Sequence, residues 1–385
     1  MSTTLAFLSG KGGSGKTTLA LSMSHLLHKC NVHVLLVDCD MSTNGATYFY
    51  ESQLFKKDEK EQRKITSFND LIKSNNNINE FNPLKIDNYL DFIPSVLKYQ
   101  LEETLTDFDN IEKQLIKLFN WAQSKYDVVL FDCLAGYTSF LQILLPLIDI
   151  DLFVLETDSI SGSSMRSLHL KVGQFLGQAR LYQVFNKATE EEFKIYSKIV
   201  GTFFTNIGTL LFDWRIRQAF SRSQIPDIDN TSAEYGLDLC NICKIIFNDE
   251  KIQKNLQLFC NTLSVKKVEE EYEQTEKKLY NINENIRIYN RNQIIRLVPL
   301  LTLIIYTMSI FLFDLSGKSL NNFYLVSLLL MFNSLTIFIE DINYKNNNVT
   351  KSKLRKDQWE NENKLKLLNK KIKNLNNLEE TKIIK

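Results

Sequence analysis

The 385-residue chain has little proline, little glycine and almost no excess of charge of either sign. Five prolines and 13 glycines exclude collagen and Gly/Pro-rich low-complexity chains. The 46 basic and 45 acidic side chains leave a net charge of +1, which excludes a strongly basic nucleic-acid binder as judged from total charge. Hydrophobic residues make up 44% of the chain, and this share excludes a chain that is disordered throughout.

Charge is also nearly absent from one long segment, residues 297–339. Only Asp314 and Lys318 are charged in it. At about 1.5 Å per residue, the uncharged runs 297–313 and 319–339 would cross most or all of a bilayer core of roughly 30 Å as helices. Basic residues flank the pair of runs while their connection holds one lysine, which predicts two spans with both chain ends in the cytoplasm of a bacterium. The alternative is a buried helical hairpin of a soluble domain.

The regions on either side of this hairpin are predicted to be helical. In the region before it, apolar residues recur at alternating spacings of three and four, as in a coiled-coil seam: Val265, Val268, Tyr272, Thr275, Leu279, Ile282, Ile286 and Tyr289. The region after it is rich in lysine and repeats the spacing more weakly. We therefore predict four parts: a head (1–263), a coiled-coil helix (264–293), a transmembrane hairpin (294–341) and a basic cytoplasmic helix (342–385).

The head alternates short apolar runs with helical patterns. Strands are predicted at residues 3–9, 32–37, 90–94, 128–132, 152–155, 182–185 and 199–203, and a helix at 16–29. Near-continuous apolar strands separated by helices predict a doubly wound, mostly parallel α/β sheet that is covered on both faces.

The six cysteines are predicted to be free thiols in a reducing compartment. The N-terminus has no basic segment ahead of an apolar core, so no cleaved secretion signal is expected. Cys240 and Cys243 have CxxC spacing, but no second pair accompanies them. Buried structural thiols are therefore favoured over zinc binding or redox chemistry.

The segment Gly10–Thr18, GKGGSGKTT, contains the pattern G-x-x-x-x-G-K-T between a predicted strand and a predicted helix. Glycines in such a loop let the backbone N–H groups turn toward phosphate oxygens, and the helix that follows directs its positive end at the same anion. The lysine reaches the β- and γ-phosphates and the threonine hydroxyl binds Mg²⁺. The pattern thus predicts binding of ATP and Mg²⁺ by Gly12, Gly13, Ser14, Gly15, Lys16, Thr17 and Thr18.

The additional Lys11 makes the run resemble the deviant Walker A motif of the ParA/MinD family of ATPases, K-G-G-x-G-K-T-T. The resemblance extends over about residues 1–260 and implies a homodimer with ATP sandwiched between two heads. In that family the early lysine reaches the partner's phosphates, so the resemblance implies this role for Lys11. Such a cation supplied in trans is similar in logic to an arginine finger.

Further segments resemble the family's switch motifs. Leu36–Asp40 resembles the D-x-D of switch I, which implies that Asp40 positions the attacking water and that Asp38 supports it. Residues 41–42 are Met-Ser where many relatives have Pro-Gln. Tyr126–Gly136 resembles Walker B and switch II, although Leu134 replaces the usual proline.

The same resemblance implies the remaining ligands. Asp132 would hold Mg²⁺ together with Thr17 and Asp40, and the backbone N–H at Gly136 would contact the γ-phosphate. Asn186, in the segment VFNK, matches a strand-end asparagine that reads adenine through its amide. An isolated asparagine at a strand end is otherwise an ordinary turn residue.

Taken together, these features predict a membrane-anchored ATPase switch. It would dimerise around ATP and hydrolyse it to regulate a protein partner, whose identity is unknown, or a membrane assembly. One alternative is a membrane effector or scaffold, for example in phage defence, whose head senses nucleotide with little hydrolysis. Another is a DNA-partition ATPase, which the charge of −5 on residues 1–264 disfavours. A bacterial tyrosine kinase is disfavoured because no tyrosine lies beyond Tyr344.

Overall fold

The computed structural model describes residues 2–54, 65–73, 81–96, 108–199, 204–224, 233–314 and 351–383. The chain divides into two compact units, Met1–Lys266 and Lys267–Lys385. We call the first unit the head and the second the tail.

The head is built on a single eight-stranded sheet. Its strands are β1 (Thr3–Leu8), β2 (Val34–Asp38), β3 (Leu84–Asp87), β4 (Leu90–Ile93), β5 (Val128–Asp132), β6 (Ile150–Leu155), β7 (Arg180–Ala188) and β8 (Thr205–Leu211). Their order is β3-β4-β2-β5-β1-β6-β7-β8. Only the β3–β4 hairpin at one edge pairs antiparallel, and the other neighbours are parallel. The predicted mostly parallel α/β fold is therefore confirmed.

The helices of the described residues are α1 (Lys16–Lys29), α2 (Gly45–Phe49), α3 (Glu51–Leu54), α4 (Phe68–Lys73), α5 (Phe108–Gln123), α6 (Ser139–Leu144), α7 (Ser159–Val172), α8 (Glu190–Ile199), α9 (Trp214–Ser221), α10 (Ala233–Ile246), α11 (Glu250–Asp314) and α12 (Lys351–Ile383). The predicted helix at residues 16–29 is α1 with the same bounds.

Helices cover both faces of the sheet and create two apolar cores. Successive side chains of a strand point to opposite faces, so Leu5 and Phe7 of β1 belong to one core while Ala6 and Leu8 belong to the other. The first core includes α1, α10 and the start of α11, and the second includes α5, α6 and α7. The central strands β1, β2, β5 and β6 are largely apolar because both of their faces are buried.

The sequence misplaced the last strand of the sheet. The predicted strand at 199–203 is wrong at its start, because Ile199 is the final residue of helix α8, and residues 200–203 lie outside the described residues. The strand begins instead at Thr205, and polar and glycine residues break up its apolar pattern. It lies at the edge of the sheet, where side chains are only partly buried, so continuous apolar character is not required there. The short hairpin strand β3 was not predicted.

The cysteine expectation is wrong in one respect. Cys240 on α10 is joined by a disulfide to Cys260 on α11, with the two Cα atoms 6.2 Å apart. The other cysteine of the CxxC pair, Cys243, is free and buried. The sequence could not show this pairing, because it depends on two helices lying side by side in the first core.

The tail contains the end of α11 and all of α12, so a helical C-terminal region is confirmed. Each of the eight residues of the predicted seam between positions 265 and 289 is buried or half-buried. Within the described part of the chain, no helix is long and apolar enough to cross a membrane. The predicted first span, 297–313, is the end of α11 and falls under this finding, so it is not supported as a membrane span. The predicted second span, 319–339, lies outside the described residues.

Candidate functional site

The glycine-rich loop connects β1 to α1 at the carboxyl edge of the sheet. Strand β1 is flanked by β5 on one side and β6 on the other, so the loop lies at the point where the strand order reverses, the usual place for ligands in such sheets. Gly13 and Gly15 have positive φ angles of 83° and 87°, which only glycine adopts readily. The loop between β1 and α1 thus has the left-handed glycine conformations expected from its sequence.

Neighbouring residues hold this loop in place. The side-chain amide of Asn186 donates to the Ser14 carbonyl oxygen at 3.0 Å, and the Lys187 ammonium donates to the Gly13 carbonyl oxygen. At the other end of the loop, a Cβ on Gly10 would lie 2.3 Å from a backbone carbon of Ser164 in α7. The loop is thus fixed against β7 and α7 before any ligand arrives.

Lys16 and Asp132 lie at the base of the loop. Lys16 is buried, and its charge lies close enough to Asp132 to lower the pKa of that carboxyl. Burial acts in the opposite direction and is the larger effect, so the pKa of Asp132 is raised. The Thr17 hydroxyl also faces Asp132 and lowers the pKa of this carboxyl. Among the described residues, no donor lies at an ideal hydrogen-bond distance and angle from either Asp132 oxygen.

These residues fit a Mg²⁺ ion. Asp132 is completely buried and its two oxygens lack partners among the described residues, whereas buried carboxylates normally have partners. The start of α2 lies against Thr17, since a Cβ on Gly45 would be 3.4 Å from the Thr17 hydroxyl oxygen. The described residues contain no cluster of three His, Cys, Asp or Glu side chains suited to a metal. A P-loop Mg²⁺ needs no such cluster, because phosphates and waters supply most of its ligands.

The carboxylates of switch I have different surroundings. Asp38 lies opposite Asp132 in the β2–β5 register and accepts hydrogen bonds from the backbone N–H and the hydroxyl of Thr47 at 2.9 and 2.7 Å. Burial and the neighbouring Asp132 raise the pKa of Asp38. Asp40 instead accepts from the Thr43 N–H at 2.8 Å and from the Thr43 hydroxyl at 2.6 Å. Asp40 is thereby held by its own loop, and Asp38 ties that loop to α2.

Lys11 is engaged by two carboxylates of its own chain. Its ammonium lies 2.7 Å from Glu156 Oε2 and 2.7 Å from Asp158 Oδ2, in the connection between β6 and α7. These contacts raise the pKa of Lys11 against the opposing effect of burial and lower the pKa of both carboxyls. Sequence reasoning did not identify either carboxylate as a partner of Lys11.

A cavity of about 380 Å³ adjoins the loop and is large enough for a base and ribose. Its lining includes the predicted residues Thr18 and Asn186. The sequence missed its other lining residues, which are Lys187, Leu211, Phe212, Asp213, Ile216, Arg217, Phe220 and Tyr235. Most of them follow β8, the strand that was misplaced, so no signal in the sequence pointed to them.

Gly136 adopts a positive φ of 80° close to the loop. Its N–H donates to the Ser9 carbonyl oxygen at 2.8 Å, so contact with a γ-phosphate requires this bond to open. The predicted site residues therefore lie at one edge of the sheet, while Lys11, Gly136 and the side-chain amide of Asn186 are engaged within the chain.

The fold and the loop define a P-loop nucleotide-binding domain, and comparisons with known proteins agree. Residues 2–179 match the protein family described as an AAA domain. A chain of the MinC:MinD cell division protein complex of Aquifex aeolicus has 17% identity and a TM-score of 0.52, covering 65% of this chain and 97% of that one. A putative plasmid partition protein of Borrelia burgdorferi, bound to AMPPNP, has 21% identity and a TM-score of 0.53, covering 64% and 98%. No curated protein sequence matches the chain.

In its fold and in its loop and switch motifs, the head resembles the ParA/MinD family of P-loop ATPases. The two structures, with their low identities, show a shared fold, and the motifs of the loop and switches agree with the family. Nearly the whole of each matched chain corresponds to the head. The family model and the two structures cover at most about two thirds of this chain, and the family model ends at residue 179.

Proposed function

We propose that the protein is an ATP-dependent switch whose heads dimerise around ATP and release each other after hydrolysis. The observation that carries this proposal is the meeting of buried Lys16, Thr17 and the completely buried Asp132 carboxylate beneath the glycine-rich loop. A base-sized cavity beside Asn186 continues the same site. This combination suits a nucleoside triphosphate with its metal better than a free anion.

The residues of this site would divide the work of phosphoryl transfer. Lys16 and the N-terminus of α1 bind the phosphates. Thr17, Asp132 and Asp40 would hold Mg²⁺, which when bound would neutralise phosphate charge. Asp40, fixed by the Thr43 N–H and hydroxyl, orients the water for in-line attack.

Hydrolysis is tested by ATP turnover of the full-length protein purified in detergent. We expect slow steady turnover, because Met-Ser replaces Pro-Gln in switch I, and we expect Asp40→Ala to abolish it while ATP binding persists. If Asp40→Ala still binds ATP, its loss of turnover comes from the missing carboxylate and not from unfolding of the head. Tight ATP binding without turnover in the unmodified protein would favour the alternative of a nucleotide-sensing effector.

We further propose that the tail attaches the protein to the bacterial cytoplasmic membrane. This part rests on the sequence, namely the uncharged runs 297–313 and 319–339 and the basic residues that flank them. An ATPase held permanently at the bilayer would act on a protein partner or on the membrane assembly, with its head on the cytoplasmic side. The acidic charge of residues 1–264 makes a nucleic-acid partner unfavourable.

Membrane attachment is tested by deleting residues 290–345 and following the protein through membrane fractionation. We expect the full-length chain in the membrane pellet after a high-salt wash, and the deleted chain in the supernatant. The wash removes proteins held only by surface charge. A deleted chain that stays in the pellet would show that the hairpin is not the anchor.

A further inference from the structure

The lysine assigned to the partner's phosphates is held by its own chain in this structure. Lys11 contacts Glu156 and Asp158 at 2.7 Å each, and all three side chains are only partly exposed. A lysine that must leave two carboxylates before it can reach a phosphate in trans loses part of the free energy of that new contact.

We propose that Glu156 and Asp158 form an acidic latch that retains Lys11 in its own subunit and so limits ATP-driven association of the heads. This inference rests on the proposed in-trans role of Lys11. It adds a restraint that the family pattern of the loop does not contain, and it assigns that restraint to two named carboxylates.

All four carboxylate oxygens of the latch have partners, and two of them share Lys11. Asp158 caps helix α7 by accepting from the Ser161 N–H at Oδ1, 2.7 Å away, while its Oδ2 binds Lys11. Glu156 binds Lys11 at Oε2 and Lys187 at Oε1, 3.1 Å away. Because Lys187 also donates to a loop carbonyl, the latch is tied to the phosphate loop itself.

The position of the latch follows from the fold. Gly10 packs directly on the backbone of α7 at Ser164, and Asp158 is the N-cap of that helix. The residue after Gly10 must therefore lie beside the start of α7. The carboxylates do not need to move to find Lys11, so the latch reforms whenever the heads separate.

The size of the effect follows from symmetry. Partly exposed ion pairs are individually weak, but a symmetric dimer has to break the latch in both subunits. We expect the ATP concentration for half-maximal head association to fall about fivefold in Asp158→Asn and about thirtyfold in Glu156→Gln/Asp158→Asn. Asparagine keeps the helix cap, so the variants should fold normally.

The experiment follows energy transfer between two differently labelled pools of full-length protein in detergent, titrated with ATP. Glu192→Gln serves as the control, because Glu192 is a nearby carboxylate that accepts from Thr189 and Thr157 but does not contact Lys11, and glutamine can still accept these hydrogen bonds. It should leave the titration unchanged. In the absence of ATP, amine acetylation of Lys11, read by mass spectrometry, should be several-fold faster in the double variant, since the freed ammonium loses its protons more easily.

The results for Lys11→Ala and for the latch variants show whether the latch fails or the in-trans role of Lys11 fails. If Lys11→Ala associates as readily as the unmodified protein, the in-trans role itself fails. If Lys11→Ala loses association but the latch variants titrate like the unmodified protein, the latch is wrong. Weaker association in the latch variants would also overturn it, because the carboxylates would then be helping Lys11 to reach the partner. Unchanged acetylation of Lys11 would show that the carboxylates do not restrain it.

Discussion

Replacing Lys16 with alanine is expected to lower the affinity for ATP at least about 100-fold. The lysine is buried at the base of the loop, where the low effective dielectric strengthens its attraction to phosphate. The loss of Lys16 has a second consequence, because the charge of Lys16 lowers the pKa of the buried Asp132 carboxyl. Without it that carboxyl holds its proton more firmly, and the predicted Mg²⁺ site is weakened as well. Isothermal titration with ATP and Mg²⁺ measures the loss.

Lys11→Ala is the matched control for this prediction. It removes the same charge from the same loop, five positions away, but from a side chain that contacts Glu156 and Asp158. ATP affinity should therefore stay within about threefold, whereas ATP-induced association of the heads should be lost. If Lys16→Ala binds ATP as tightly as Lys11→Ala, the loop does not bind phosphate in the proposed way.

Replacing Asp151 with asparagine is expected to stabilise the head strongly at neutral and alkaline pH. Asp151 lies in β6 with apolar register neighbours, Ala6 and Leu181, and its carboxylate oxygens have no partner among the described residues. Burial raises the pKa of Asp151 to about 8. Asparagine resembles the protonated acid in size and cannot ionise, so it avoids the cost of a buried charge.

The sign of the pH dependence follows from proton uptake. The unfolded chain loses the Asp151 proton near its ordinary pKa of 3.8, and the folded chain keeps it up to about 8. Between these values the folded state binds more protons, so this group's stabilisation is complete below about pH 4 and falls as pH rises to about 8. The total is a few kcal/mol at roughly 1.4 kcal/mol per pKa unit.

Scanning calorimetry from pH 4 to pH 9 tests this expectation. The melting temperature of Asp151→Asn should match that of the unmodified protein near pH 4 and exceed it by roughly 5–10 °C at pH 8. The low-pH match is an internal control for any change in packing. A difference that is constant across the pH range would show that Asp151 is not protonated in the folded head.

Much of the head could be predicted because its signals are local. The apolar run 128–132 became β5 without change of bounds, and the helix at 16–29 became α1. A central parallel strand is buried on both faces, so its sequence shows a continuous apolar run. The edge strand β8 lacks such a run and was misplaced, and the cavity residues that follow it were missed for the same reason.

The loop chemistry was determined by the sequence itself. Glycine spacing, Lys16 and Thr17 specify a phosphate-binding turn through backbone conformations and side-chain types that no other part of the chain has to supply. The uncharged runs 297–313 and 319–339 are likewise a property of the sequence alone, and their placement in a membrane stays a prediction.

Only the tertiary structure decided which distant residues meet. The Lys11 ammonium finds Glu156 and Asp158 about 145 positions later in the chain because β1 and β6 are neighbours in the sheet. The Cys240–Cys260 disulfide likewise depends on two packed helices. Residue type and local spacing establish what a side chain can do, whereas burial and strand order establish its partners. The loop and its glycine conformations could therefore be predicted from the sequence, and the carboxylates that contact Lys11 could not.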